Sequence, residues 1–176
     1  MRHHVAGRPL GLLGAILVAL ATATDAPGAT SPPLGIAQLA ARADLIVLGA
    51  VSTVQSQWNA DRTLIETRVE VRVAATPKGA PHADVVSLWE AGGRVGPLAA
   101  EVADTPRFSA GERVLVFLRR GADGRFRVVE RFQGKFSIER DGASGEELAV
   151  RRVPDTGRVI DVMPLHRLLA ELGTGR

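Results

Sequence analysis

A strict two-residue alternation over residues 65–73 constrains the fold of this chain more than any other feature. Apolar or small polar residues at every second position alternate there with charged residues, which is typical of a strand with one buried and one solvated face. A helix would instead repeat its apolar positions every three to four residues. We expect a long strand that Pro77-Lys78-Gly79 ends. Its inward positions are Ile65, Thr67, Val69, Val71 and Val73, and its outward positions are Glu66, Arg68, Glu70 and Arg72.

A continuous apolar run precedes this strand in the sequence, at 45–51 (LIVLGAV), and a second strongly apolar strand is expected after it, at 112–119 (ERVLVFLR). The first run predicts a strand that is covered on both faces. Gly49 predicts a bend or bulge within the first run, and we expect that strand to continue as far as Trp58. Shorter strands are expected at 85–89, 126–131, 135–139 and 148–152.

A helix is expected at each end of this set of strands. Positions 36, 39, 40 and 43 are apolar and share one helical face, with Ser31 as the expected N-cap, and a second helix is expected between Pro164 and Gly173. Six or seven strands between two helices predict a mainly β fold. Because closure removes exposed strand edges, we expect a small OB-like antiparallel β-barrel, with a short helix before the first strand and a C-terminal helix.

The first 23 residues have the pattern of a secretory signal. Arg2 and Arg8 give a positive start, residues 10–23 carry no charge, and Ala21-Thr22-Ala23 matches a signal-peptidase site. A membrane-spanning helix needs about 20 apolar residues, so a cleaved signal is favoured over an anchor. We therefore expect a signal peptide (1–23), with cleavage after Ala29 as the alternative, a flexible lead-in (24–33) and a single OB-like barrel domain (34–176). The mature protein would be secreted or periplasmic, with no stable membrane anchor.

Charge and cysteine content exclude several function classes. The formal net charge is +3, and it falls to +1 without Arg2 and Arg8 of the signal. The charges are interleaved and form no basic cluster, so nucleic acid is not an expected partner. The chain has no cysteine, which rules out a thiolate zinc site, a cysteine nucleophile and a disulfide framework.

No catalytic or metal-binding constellation stands out. The histidines that follow the signal are His82 and His166, and neither has a partner at the short spacing of a metal-binding motif. There is no G-x-S-x-G motif, and the adjacent Glu146 and Glu147 would point to opposite faces of a strand. We therefore expect a non-enzymatic protein with no cofactor and no metal ion.

Three segments resemble the netrin-like module of tissue inhibitors of metalloproteinases. They are ADLIVLGAV at 43–51, RVEVRVAATPKG at 68–79 and GERVLVFL at 111–118. In that module the first barrel strand follows a short helix, and the next strand is long, alternating and ends in KG. Order and spacing match over residues 36–140, and the layout is also similar to that of uncharacterised secreted bacterial proteins. The resemblance implies a five-stranded OB-type barrel.

The resemblance also implies a function, the inhibition of a metalloprotease through loops beside the mature N-terminus. The family places an N-terminal cysteine on the protease zinc, and this chain has none. We therefore expect a secreted, non-enzymatic binding protein that acts on another secreted protein, and the resemblance implies a metalloprotease as partner. The alternative is an extracellular or periplasmic structural or carbohydrate-binding barrel.

Candidate binding residues lie at strand ends and in the segment 91–111. That segment is rich in glycine and proline and longer than most connections, so it either holds a short strand at 98–102 or is a functional loop. Two tryptophans each end a predicted strand, where an aromatic ring can line a binding face, although core or rim packing is the commoner role. The candidates are Trp58, Trp89, Gly92, Gly93 and Phe108.

Overall fold

The computed structural model describes residues 33–174, so the predicted signal and nearly all of the lead-in lie outside the described residues. The described residues form ten strands, two α-helices and one turn of 3-10 helix. In chain order these elements are α1 (Ile36–Arg42), β1 (Leu45–Trp58), β2 (Ile65–Lys78), β3 (Val85–Ala91), β4 (Gly93–Val95), β5 (Leu98–Ala100), β6 (Arg113–Arg120), β7 (Phe126–Val128), the 3-10 helix (Arg131–Gly134), β8 (Lys135–Arg140), β9 (Glu147–Arg152), β10 (Val159–Pro164) and α2 (Leu165–Thr174).

Five of the strands close into a barrel in the order β1–β2–β3–β7–β6–β1. Strand β6 pairs with the first part of β1, from Leu45 opposite Leu118 to Ala50 opposite Arg113. All of these pairings are antiparallel except that of β3 with β7, which is parallel and consists of one residue pair, Leu88 with Phe126. The predicted OB-like barrel, with a helix before β1 and a helix at the C-terminal end, is confirmed.

The sheet continues outside the barrel from β6 through β8, β9 and β10, and α1 and α2 pack against this extension. The alternating residues of β1 therefore enter two different cores. Leu45, Val47 and Val51 face the barrel interior, whereas Ile46 and Leu48 face the helices. Both faces of β1 are therefore covered, which explains the continuous apolar run at 45–51. Among the described residues, no helix has the length and apolar character needed to cross a membrane.

The alternation of β2 is confirmed. Val69 and Val71 are fully buried inside the barrel, Val73 packs against the same core, and Arg72 is exposed. Glu70 is half-buried, because Arg68 on the same strand forms an ion pair with it at 2.6 Å. The charged face is therefore a solvated outer surface with ion pairs along it.

The prediction of a helix start at Ser31 is wrong. Helix α1 begins at Ile36, and Gly35 is its N-cap, with an extended backbone at ψ 163°. The Gly35 N–H donates a hydrogen bond to the Gln38 Oε1 at 3.0 Å. A side chain within the first turn therefore caps this end, so no hydroxyl residue is needed before the helix.

The described part of the chain has ten strands where six or seven were expected. Strand β4 was not predicted, and it forms a hairpin with β5 that pairs Arg94 with Ala99. Of the two alternatives for the segment 91–111, the short strand is present, at 98–100, and the segment continues as an irregular loop. Strand β10 was not predicted either, and its alternation is interrupted because Asp161 pairs with the buried Arg151.

Candidate functional site

The β1–β2 hairpin extends beyond the closed part of the barrel, and this extension forms one wall of an opening that we call the barrel mouth. The pairing of β1 with β6 ends at Ala50, whereas its pairing with β2 continues to Trp58. Thr67 of β2 stands opposite Ser56 of β1 on one side and Glu90 of β3 on the other. These three polar residues share a strand face with buried core residues, because side chains alternate along a strand. They therefore line the inner face of the barrel mouth.

A cleft of about 350 Å³ lies over these polar residues. The β4–β5 hairpin and the loop 101–108, together called the cover, form its other side. The lining is mixed, with valines from β1 and β2 facing small residues, a proline and a phenylalanine of the cover. The residues from the barrel are Val54, Ser56, Thr67, Val69, Glu90 and Ala91, and those from the cover include Gly93, Arg94, Ala100, Glu101, Val102, Pro106, Arg107 and Phe108.

Glu90 is the acidic group at the floor of the cleft. Its Oε1 accepts a hydrogen bond from the Val128 N–H at 2.9 Å. Strands β3 and β7 pair through one residue pair, so this bond is a second connection across the weakest seam of the barrel. Burial raises the pKa of the Glu90 carboxyl to about 7, although the Val128 hydrogen bond and the charge of Arg127 act in the opposite direction.

Two hydroxyl groups join the floor of the cleft to the start of the cover. The Thr67 hydroxyl donates to the Gly92 carbonyl oxygen at 2.7 Å, so the Ser56 hydroxyl, 2.9 Å away, donates to Thr67 Oγ1. A side chain at Gly93 would place its Cβ 2.3 Å from both hydroxyl oxygens, and the Gly93 φ is +129°. Glycine is therefore required where the cover leaves β3.

The structure brings three of the five candidate residues together at the cleft. Gly92, Gly93 and Phe108 line it, whereas the two tryptophans do not. Trp89 lies on the outer face of β3, where the guanidinium of Arg125 is 4.2 Å from its ring centre. Trp58 is half-buried at the far end of β1, opposite Ile65. Their roles in binding remain predictions.

Sequence reasoning missed Glu90. Glu90 lies two residues after Leu88, so the two side chains share a strand face. If the predicted strand 85–89 is extended by one residue, Glu90 is therefore an acid on its inward face, and this signal could have identified it. Only the strand register shows that this acid stands beside Thr67 and beneath the cover.

Within residues 33–174, no group of three or more His, Cys, Asp or Glu side chains is arranged to hold a metal ion. His82 is exposed in the β2–β3 loop, and His166 is exposed on α2, 3.3 Å from the Glu146 carboxylate. Both positions lie away from the cleft lining.

The elevated pKa of Glu90 predicts that the protein becomes less stable as the pH rises from about 5 to about 8. The folded state binds a proton with a pKa of about 7 and the unfolded state with a pKa of 4.5, so folding takes up a proton between these values. The ionised carboxylate therefore costs roughly 3 kcal/mol of folding free energy above pH 7. We expect Glu90→Gln to match the wild type at pH 5 and to exceed its stability at pH 8.

Urea unfolding at a series of pH values measures this difference. Asp141 and Glu147 do not interfere, because hydrogen bonds from Ser144 and Arg113 respectively lower their pKa values. Parallel pH profiles of the two proteins between pH 5 and 8 would show that Glu90 is not desolvated in the folded state.

Fold and geometry together define an OB-like β-barrel with a covered cleft at one mouth and a single carboxylate at its floor. Comparison of the chain with protein-family models, curated proteins and solved structures gives no match. The cleft is therefore the main evidence for function, and the resemblance to the netrin-like module rests on the segments quoted above.

Proposed function

We propose that this chain is a secreted, non-enzymatic binding protein that holds a segment of another secreted protein at the barrel mouth. The observation that carries this proposal is the cleft, with its apolar rim. Val54 and Val102 line the cleft and are 38% and 44% exposed, and Leu98 on the hairpin of the cover is 55% exposed. Exposed apolar side chains gathered around a concave site are typical of interaction surfaces.

The cover is tied to the body of the protein, which favours binding by a preformed surface. The Phe132 N–H donates to the Asp104 carbonyl oxygen at 3.1 Å, and the Arg131 guanidinium donates to the Ala103 carbonyl oxygen at 3.1 Å. The Lys135 ammonium donates to the Arg107 carbonyl oxygen at 2.6 Å. These bonds reduce the conformational entropy that the loop would lose on binding.

The start of the described chain lies beside the same anchor. The Leu34 N–H donates to Gln133 Oε1 at 2.8 Å, and Gln133 belongs to the 3-10 helix that also holds the cover. The N-terminal segment and the cleft loop thus share one support. This arrangement supports the ridge of loops that the family resemblance implies, and a metalloprotease is the partner class we propose on that ground.

The carbohydrate-binding alternative receives less support from the geometry. Sugar recognition by an OB barrel relies on exposed aromatic faces. The aromatic residue that lines the cleft is Phe108, and the Lys135 ammonium already lies 4.9 Å from its ring centre. The guanidinium groups of Arg125 and Arg68 lie 4.2 and 6.0 Å from the centre of the Trp89 ring. A sugar would have to displace at least one cation to stack there.

Partner capture by matched valine variants tests the proposal. Val102 at the cleft and Val162 on β10 are similarly exposed, at 44% and 50%. We expect tagged protein starting at residue 24 to retain a partner from culture supernatant, and Val102→Asp to weaken this capture at least about tenfold, because a charge is placed on an apolar contact. Val162→Asp should capture as the wild type does.

Thermal melts of both variants check that each one is folded. Equal capture by the wild type and both variants would exclude the barrel mouth as the binding surface. If the captured partner is a metalloprotease, extension of the mature N-terminus by a few residues should leave inhibition intact, because the loops bind. Loss of inhibition on extension would indicate zinc chelation by the terminal amine.

A further inference from the structure

We propose that the cleft recognises an alkylammonium group, the side chain of a lysine on the partner protein, with Glu90 as its counter-charge. This inference rests on the proposed function and specifies the chemistry of the contact. It starts from the position of a single carboxylate on the floor of a small cleft whose walls combine apolar and polar side chains.

Glu90 is held in place and yet has capacity for a ligand. Val128 is its one hydrogen-bond donor among the described residues, and it occupies Oε1. The second oxygen, Oε2, accepts no hydrogen bond from residues 33–174. A carboxylate that accepts one bond can accept several more, so the side chain is fixed in orientation and incompletely satisfied.

Two of the cations near Glu90, Arg127 and Arg107, are engaged elsewhere. Arg127 of β7 makes two hydrogen bonds to the Asp123 carboxylate, at 2.9 and 2.7 Å. Arg107 of the cover pairs with Asp155 at 3.2 Å. Arg94 and Glu101, both exposed on the cover, carry opposite charges. The part of the lining contributed by β1 and β2 has no charged residue, so the carboxylate on the floor lacks a direct ionic partner.

An ammonium ion fits this position better than a guanidinium does. Arginine pairs best with a carboxylate through two parallel hydrogen bonds, which need both oxygens. Because the Val128 N–H already takes one lone pair of Oε1, fewer arrangements remain for two parallel bonds, and a compact cation with freely turning donors is favoured. The apolar walls formed by Val54, Val102 and Phe108 suit the methylene stem of such a ligand.

The Val128 amide gives a direct readout, because its N–H is bonded to the Glu90 carboxylate. Pentylammonium is the probe, and 1-pentanol is the matched uncharged control. Without ligand, the Val128 amide resonance should titrate with a midpoint near pH 7. Excess pentylammonium should lower this midpoint by at least about one pH unit, since a cation that binds the ionised carboxylate favours that form. Pentanol should leave the midpoint in place.

Glu90→Gln provides the variant control. The glutamine carbonyl can still accept the Val128 N–H, so the seam between β3 and β7 is kept while the charge is lost. We expect this variant to bind pentylammonium no better than pentanol, whereas the wild type should prefer pentylammonium by about tenfold or more. A Val128 midpoint unaffected by pentylammonium, or equal affinity of the wild type for both probes, would overturn the inference.

A pair of peptides distinguishes a protein lysine from a small free amine as the source of the ammonium group. A blocked Gly-Lys-Gly peptide is compared with the same peptide carrying N-acetyl-lysine. Binding of the lysine peptide alone supports a protein lysine as the ligand. Binding of pentylammonium without binding of either peptide overturns the protein source and leaves a small free amine. If partner capture still depends on Val102 while pentylammonium fails, the ammonium inference fails and the proposed function stands.

Discussion

Gly49→Ala is expected to destabilise the protein by about 3 kcal/mol, although it adds a single methyl group. The new Cβ would lie 2.2 Å from the Arg72 carbonyl oxygen and 2.8 Å from Val71 Cγ1. The strand cannot withdraw, because Gly49 pairs with Val73 of β2 on one edge and with Val114 of β6 on the other. Closure of the barrel at this point requires a residue without a side chain.

Gly142→Ala is the matched control for this prediction. Gly142 lies in the turn between β8 and β9, and a Cβ there would meet no atom within 4 Å. We expect a change of less than about 0.5 kcal/mol, which is usual for a surface substitution. Urea unfolding of both variants gives the comparison. Similar free energies of unfolding for Gly49→Ala and Gly142→Ala would mean that β1 and β2 can move apart at Gly49 without loss of stability. The bend in β1 would then not depend on a glycine.

The barrel could be predicted from the sequence because its signals are local. The alternation of β2, the double-sided burial of β1 and the bend at Gly49 each follow from the order of residues along one strand. Strands β4 and β10 show no such regular alternation, so both were missed, and β5 was left as one of two alternatives for the segment 91–111. Strand β10 is the clearest case, because an inward position is occupied by Asp161, whose partner Arg151 lies on another strand.

The candidate site could be predicted only in part, because it is assembled across strands. Gly92, Gly93 and Phe108 belong to a segment whose length and composition marked it as functional, and they line the cleft. Glu90 gains its importance from Thr67 beside it and from the amide of Val128, which is 38 residues away in sequence. Trp89 was chosen as a candidate and lies outside the site, because it faces outward from β3 whereas the next residue, Glu90, faces the cleft.

Arg151 is the most completely buried charged residue of the described chain, with 2% of its surface exposed. It pairs with Asp161 at 2.8 Å, and its Nη1 donates to the carbonyl oxygens of Leu34 and Gln133 at 2.9 and 3.3 Å. Its guanidinium also lies over the Phe136 ring, at 5.0 Å. One side chain therefore joins β9 and β10 to the N-terminal segment and to the support of the cover.

Asp161→Ala is expected to destabilise the protein by about 3–4 kcal/mol, because it leaves a buried cation without its counter-charge. The double variant Arg151→Met with Asp161→Ala removes both charges, keeps the bulk of the arginine stem and should be more stable than Asp161→Ala alone. Chemical unfolding of the two single variants and the double variant completes a mutant cycle. The contrary outcome is that the free energy of unfolding lost in the double variant equals the sum of the losses in the two single variants. The ion pair would then contribute nothing, and the hydrogen bonds to Leu34 and Gln133 would account for the role of Arg151.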